Sequence, residues 1–311
     1  MKTIRVTTLA LCLLFATGSF AFHLAFSPQK AAAEKQAAEI EKCTQRENFV
    51  LVIHGGAGHK EYKLKERAAF IKDLLIHCKR LLHDGETSLD VVHFAIKEME
   101  DSGLFNAGKG SIKNKDGIVE MDASIMDGKN MRAGAVASVS RKIKNPITAA
   151  KLILEKSDNV MFVGENAEKY VKRIGSFDVD IDPKDRFGHS DAANPHGTVG
   201  CVALDRCGNL AAGTSTGGFG RKIPGRVGDS PIIGAGTYAN DRVDDVAALY
   251  AYKNLTIADA AKQALDKIQP DGGTGGIIAL DYAGNIATPF NTKGMIRGRV
   301  SSTSEPRVAI Y

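Results

Sequence analysis

In the stretch His196-Gly197-Thr198-Val199-Gly200-Cys201-Val202-Ala203-Leu204-Asp205, a threonine follows glycine and opens a run of strand formers. A threonine hydroxyl is a weak nucleophile unless a base lies within hydrogen-bond reach. Cutting the bond before it supplies one, the α-amine of the same residue. That amine has a pKa of about 7.7–8.0, so it accepts a proton near neutral pH. Gly197, on the acyl side, removes a Cβ beside the carbon to be attacked and tolerates a strained peptide. Alone, Gly-Thr-Val-Gly also describes any strand that starts after a glycine turn, so the chemistry needs partners elsewhere in the chain.

Several segments offer them. Thr214-Ser215-Thr216-Gly217-Gly218 carries a second hydroxyl, Thr216, which could orient the first or simply cap a strand end. Gly225-Arg226-Val227-Gly228-Asp229-Ser230-Pro231 places a guanidinium and a carboxylate three residues apart in a glycine-bordered loop. A guanidinium grips a carboxylate in a bidentate fork and a carboxylate takes an ammonium, so together they fit the two charged ends of an amino acid. The plain alternative is a surface ion pair worth about 0–1 kcal/mol. Val52-Ile53-His54-Gly55-Gly56-Ala57-Gly58 follows a strand; His54 reads as a structural hydrogen-bonder, while Gly55 and Gly56 leave room for backbone beside the bond to be cut.

With Leu104-Phe105-Asn106-Ala107-Gly108-Lys109-Gly110-Ser111 and Gly234-Ala235-Gly236-Thr237-Tyr238, the order and spacing of these motifs resemble the plant-type (type 2) asparaginase and isoaspartyl peptidase family of N-terminal nucleophile hydrolases. The resemblance runs from about Phe49 to Tyr311. It implies autocatalytic cleavage of the Gly197-Thr198 bond, Thr198 as nucleophile and new N-terminus, and Thr216 as its orienting hydroxyl. It further implies a clamp of Arg226 and Asp229, with Val227 and Gly228 between them, for a β-aspartyl substrate such as asparagine or an isoaspartyl dipeptide. The implied fold is α+β, a four-layer αββα sandwich, and the implied assembly is a dimer of αβ heterodimers. The region Met99 to Gly110 resembles a loop that binds sodium through backbone carbonyls. No cofactor is expected, a structural sodium is allowed, and no metal ligand is assigned. Glycosylasparaginase is a lesser alternative, because that branch has Asp where this chain has Gly197.

One departure bears on activity. After Tyr238-Ala239-Asn240 the family continues with a strand and a Thr-Gly-x-Gly-Glu motif before Asp-Val-Ala-Ala-Leu, which here comes at once as Asp245-Val246-Ala247-Ala248-Leu249. The resemblance assigns the oxyanion donors to that absent Thr-Gly pair, and losing one such donor can cost about 10²–10³ in rate. A catalytically impaired member, with a defect in one sheet, is therefore the second reading. A nucleotide-binding reading of Gly103 to Lys109 fails, since Gly110 stands where a Ser or Thr should bind magnesium and the segment follows a helix.

Composition frames these readings. The 311 residues can bury a substantial core, and a net charge of +5 spread over interleaved acids and bases gives no nucleic-acid footprint. Residues 1–21 read as an export signal, with Lys2 and Arg5 before an apolar run and Ser19-Phe20-Ala21 as cleavage site, which predicts a periplasmic or secreted protein. Residues 22–47 read as a linker and 48–311 as one hydrolase domain, to be cut into 22–197 and 198–311. Cys43, Cys78, Cys201 and Cys207 are too few for a disulfide framework; one bridge is allowed, and Cys201 and Cys207 are expected to be structural or free thiols.

The elements that must position the site follow from periodicity and caps. A strand is expected at Phe49 to Ile53, then a helix with Leu64, Ala68, Ile71, Leu75, Cys78 and Leu82 on one face, ending at Gly85. Thr87, with Asp90 three residues on, caps a second helix, and Pro146 opens a third. Strands are expected at Ile118 to Met126 and Ala133 to Ser140, and an acidic arm at Gly175 to Gly197. Val202 to Ala211 is echoed by Ile278 to Ala287, both strand, Asp-x-x-Gly turn, strand.

Overall fold

A computed structural model of the chain describes residues 47–58, 63–175, 197–241, 253, 255–270 and 272–311. All lie in the compact unit Thr44–Tyr311. The expected signal, most of the linker and most of the acidic arm fall outside the described residues. Among those described, no helix is long and apolar enough to cross a membrane.

The framework is an eight-stranded sheet in the order β10-β9-β1-β5-β6-β2-β3-β4. Its strands are β1 (Val50–Ala57), β2 (Met121–Asp127), β3 (Arg132–Val139), β4 (Met161–Val163), β5 (Val199–Leu204), β6 (Leu210–Thr216), β9 (Met295–Ser301) and β10 (Ser304–Ala309). Every pairing is antiparallel except β3 with β4. One face is covered by α1 (Leu64–His83), α2 (Ser88–Ser102), α3 (Pro146–Lys156) and α4 (Gly164–Ile174). The other meets a two-stranded ribbon, β7 (Ala279–Leu280) with β8 (Ile286–Ala287), against which α5 (Ile257–Ile268) packs. This is an α+β fold layered αββα, with the second sheet reduced to two strands among the described residues.

Both faces of the large sheet are buried, which explains the unbroken apolar run of β1. Leu51 and Ile53 join the core under the helices, while Val50 and Val52 pack toward Leu280 in the ribbon. The helix under β5 and β6 starts as its sequence dictates: Thr87 Oγ1 accepts from Asp90 N at 3.1 Å, and Val92, Ile96 and Met99 are fully buried. Thr256 and Asp259 repeat that cap on α5.

The internal repeat folds as two equivalent hairpins. In each, the aspartate carbonyl accepts from the turn glycine at 3.0 Å, and its Oδ1 accepts two turn N–H groups, those of Cys207 and Asn209 or of Ala283 and Asn285. Gly208 and Gly284 sit at φ 82° and 86°, where a side chain would be strained. Asp205 does more, accepting Ser88 N at 3.0 Å from the first turn of α2. Cys201 is a buried free thiol as expected, whereas Cys207 in this turn is disulfide-bonded, which corrects the expectation of a thiol there.

Boundaries differ from the sequence reading at two places that matter below. β1 runs through the His-Gly-Gly-Ala motif instead of stopping at Ile53, with a register shift between His54 and Ala57. β2 starts at Met121, because Asn114 Oδ1 takes Ile118 N and holds that stretch as a loop.

Asp205→Ala would leave Ser88 N, Cys207 N and Asn209 N without their acceptor. Urea unfolding should show a loss of about 2–4 kcal/mol, beyond the cost of a single neutral hydrogen bond. A loss below 1 kcal/mol, on the order of one exposed bond, would contradict the linking role of this carboxylate.

Candidate active site

The antiparallel pairing of β5 with β6 sets Val199 opposite Ser215, so the residues flanking that pair meet at one end of the ladder. There Thr198 Oγ1 donates to Thr216 Oγ1 at 2.9 Å. Thr216 is buried and its oxygen also accepts Gly218 N at 2.9 Å, which fixes the hydroxyl from a second direction. The two threonines selected from sequence are thus in direct contact.

The bond before Thr198 lies against the glycines of β1. A Cβ built on Gly56 would sit 2.5 Å from Gly197 Cα, and one built on Gly197 would sit 2.6 Å from Ala57 N and Gly56 Cα. Gly56 adopts φ 108°, a conformation that side-chain-bearing residues rarely reach. Backbone therefore packs on backbone at the Gly197-Thr198 bond, where a Cβ on either glycine would collide.

His54, across the ladder from Gly200, is enclosed and its Nδ1 has no hydrogen-bond partner among the described residues. Burial pulls its pKa down to about 4, so the ring is neutral at pH 7. Its place facing Gly200 is that of a packing residue.

Behind Thr216 the strand alternates, and Ser215 points to the helices. Its hydroxyl donates to Glu100 Oε1 at 2.6 Å, and Ile147 N donates to the same oxygen at 3.0 Å. Glu100 is fully buried with Oε2 unpartnered, and desolvation raises its pKa to about 8. Asn106 holds the corner that follows: its backbone oxygen accepts Gly217 N at 3.1 Å and its side-chain amide donates to Gly218 O. Neither Glu100 nor Asn106 was singled out from sequence. The signal for Glu100 was available, since it lies four residues after Ile96 on the buried stripe of α2.

The clamp residues lie on the loop beyond Gly218. The Arg226 guanidinium sits 4.3 Å from the centre of the Phe219 ring, a cation–π contact. Val227 and Gly228 are half-buried and Asp229 is exposed. Asp229 also borders a cavity of about 310 Å³ between the two sheets, together with His54, Thr214, Tyr238, Ile257 and Leu280. Immediately after Asn240, Asp241 turns back to the large sheet, where its Oδ1 accepts Leu210 N at 2.7 Å. Among the described residues, no cluster of His, Cys, Asp or Glu could hold a metal. In the loop from Phe105 to Gly108 each carbonyl accepts a backbone N–H, that of Asn106 from Gly217.

A sequence model of the Asparaginase_2 family, described as asparaginase, matches residues 47–184, 181–249 and 243–310. The chain belongs to the asparaginase family. It is 38% identical to an isoaspartyl peptidase of Salmonella typhimurium, over 84% of this chain and 98% of the relative. It is 39% identical to an isoaspartyl peptidase of Escherichia coli, over 84% and 96%. It is 36% identical to a plant-type L-asparaginase of Pyrobaculum calidifontis, over 80% and 95%. The alignment to the Salmonella protein runs over 309 positions yet draws on 84% of 311 residues, about 260. Close to 50 positions of this asparaginase-family alignment therefore lack a counterpart here, and the family matches meet and overlap at 181–184 and 243–249, in the arm and just after Asn240.

The buried Glu100 gives a pH signature. Its folded pKa of about 8 lies above the ordinary 4.5, so the fold favours the neutral acid. That contribution is complete below pH 4.5 and is lost as pH rises through about 8. Glu100→Gln, neutral at every pH, should gain thermal stability relative to wild type between about pH 5 and pH 9. Parallel melting curves with a pH-independent difference would rule this out.

Proposed function

We propose that this protein is a threonine-dependent amidohydrolase that cleaves the side-chain amide of L-asparagine and β-aspartyl (isoaspartyl) peptide bonds after cutting itself between Gly197 and Thr198. The single observation that carries the reading is the Thr198–Thr216 hydroxyl contact beside a glycine-only approach to the Gly197-Thr198 bond. The names of the relatives, isoaspartyl peptidase and L-asparaginase, agree with it.

The steps follow from ordinary acyl chemistry. Thr198 Oγ attacks the Gly197 carbonyl, the acyl group moves from nitrogen to oxygen, and water hydrolyses the ester, leaving a free α-amine on Thr198. That amine then takes the hydroxyl proton as Oγ attacks the substrate's side-chain carbonyl, and returns it to the departing ammonia or peptide amine. A second water releases aspartate and restores the hydroxyl. Thr216, held by Gly218 N, orients Oγ in both rounds. Arg226 receives the substrate's α-carboxylate and Asp229 its α-ammonium, with Val227 and Gly228 spacing them. The cleaved pieces assemble as a dimer of αβ heterodimers.

Purified protein should resolve on a denaturing gel into two bands, the smaller beginning at Thr198, and hydrolyse asparagine or an isoaspartyl dipeptide. Thr198→Ala and Gly56→Ala should both remain single chains, the first for want of a nucleophile and the second through displacement of the scissile bond. A wild type that stays a single chain, indistinguishable from Thr198→Ala, would count against the hydrolase.

The alignment columns without a counterpart in this chain, and the overlap of two family matches at 243–249, favour a second reading, a family member with impaired catalysis. Inserting a relative's Thr-Gly-x-Gly-Glu segment between Asn240 and Asp245 should raise asparagine turnover by about 10²-fold or more and raise the melting temperature. Equal rates and melting temperatures for both chains would dismiss the impairment.

A further inference from the structure

Beneath the clamp loop lies a set of charged groups that the reaction above does not use. Lys222 is 1% exposed and Asp122 0% exposed, an unusual depth for either side chain. Lys222 Nζ donates to the Glu120 backbone oxygen at 2.8 Å. Glu120 Oε1 in turn accepts Gly225 N at 2.8 Å, immediately before Arg226, while its Oε2 accepts from Asn114. Asp122 lies two residues further on, the second residue of β2. Its Oδ1 accepts Ser138 N at 2.7 Å and its Oδ2 is buried with no hydrogen bond among the described residues. Burial raises the pKa of that carboxyl, opposed in part by the Ser138 N–H, Lys222, the Gly228 N–H and Arg226. Gly225, next to Arg226, is therefore held by the Glu120 carboxylate, and the Glu120 backbone by the buried Lys222.

The same set reaches the nucleophile. Asp122 is the ladder partner of Thr216. The Lys222 side chain passes so close to Gly218, the donor to Thr216, that a Cβ there would lie 2.8 Å from Lys222 Cδ and 3.0 Å from Nζ. A buried lysine is costly, and burial lowers the pKa of this one, with Asp122 and Glu120 opposing that only in part and Arg226 adding to it. Such an arrangement is retained where geometry has to be fixed.

Resting on the clamp reading given above, we propose that Glu120, Asp122 and Lys222 are positioning residues for Arg226, fixing how far its guanidinium stands from Thr198 and so making the protein selective for ligands with a free α-carboxylate. They touch no substrate. They act by holding Gly225 and the backbone about Gly228, and hence the arginine between them.

The test is calorimetric binding of two small ligands, L-aspartate and L-isoasparagine, whose α-carboxylate is an amide. Wild type should bind aspartate and bind isoasparagine far more weakly. Lys222→Met should raise the Kd for aspartate about tenfold or more while leaving that for isoasparagine within about twofold, a split that a general loss of packing would not produce. Combining it with Arg226→Lys should add little to either change alone, since both act on one contact. Glu120→Gln, at a half-buried position, should show the same selective loss at about threefold and covers the case in which Lys222→Met fails to fold. Equal weakening of both ligands, or unaltered aspartate binding in variants where Arg226→Lys weakens it, overturns the proposal. A wild type that binds aspartate but hydrolyses no asparagine removes the proposed reaction and leaves the positioning role to stand on these ratios. A wild type that binds neither ligand overturns both.

Discussion

The contact of Gly56 with Gly197 is the constraint around which the site is arranged. Two backbones approach so closely that a single Cβ on either would collide with the other, and they come from segments about 140 residues apart in sequence. Only the register of β1 on β5, with His54 opposite Gly200, brings them together. That register is held in turn by burial on both faces, since a slip of one residue would exchange the sets facing helices and ribbon. The core thus serves the chemistry through register: it places one peptide bond.

The alternation of β6 then divides the labour of its hydroxyls. Thr214 and Thr216 face the intersheet side, Ser215 the helices. On the helix side, burial makes polar groups expensive, and Glu100 responds by holding its proton up to about pH 8 while accepting from Ser215 and Ile147. On the other side the hydroxyl of Thr216 stays available to Thr198. The buried hydroxyl that meets Glu100 and the hydroxyl that meets Thr198 belong to consecutive residues of one strand, Ser215 and Thr216.

What was legible in the sequence was local or carried by motif. The Thr87 cap, the Pro146 start and the two Asp-x-x-Gly turns follow from interactions within a few residues, and each is found where expected. Thr198 and Thr216 were readable because their motifs are specific, and the structure brings their hydroxyls together. The extent of β1 was not, because His-Gly-Gly-Ala has poor strand propensity and is held extended only by its neighbours β5 and β9. Nor were Glu100, Asp122 and Lys222, since charged residues are ordinarily assigned to the surface and their burial depends on partners 16 to 115 residues distant. β4, three residues long, has no periodicity to detect.

The order of strands across the large sheet has a further consequence. Strands preceding Gly197 alternate in blocks with strands following it, so that β1 lies between β9 and β5, and β6 borders β2. On the proposed cleavage of the Gly197-Thr198 bond, the sheet would be stitched from two separate chains across three internal seams. The folded protein loses little, because those seams are ladder pairs in a buried sheet. The unfolded protein loses the covalent link that made its halves find each other at high effective concentration, so its refolding becomes a concentration-dependent encounter of two incomplete pieces. Folding would have to come before maturation, and persistence of the mature form would rest on how slowly it opens instead of how readily it re-forms.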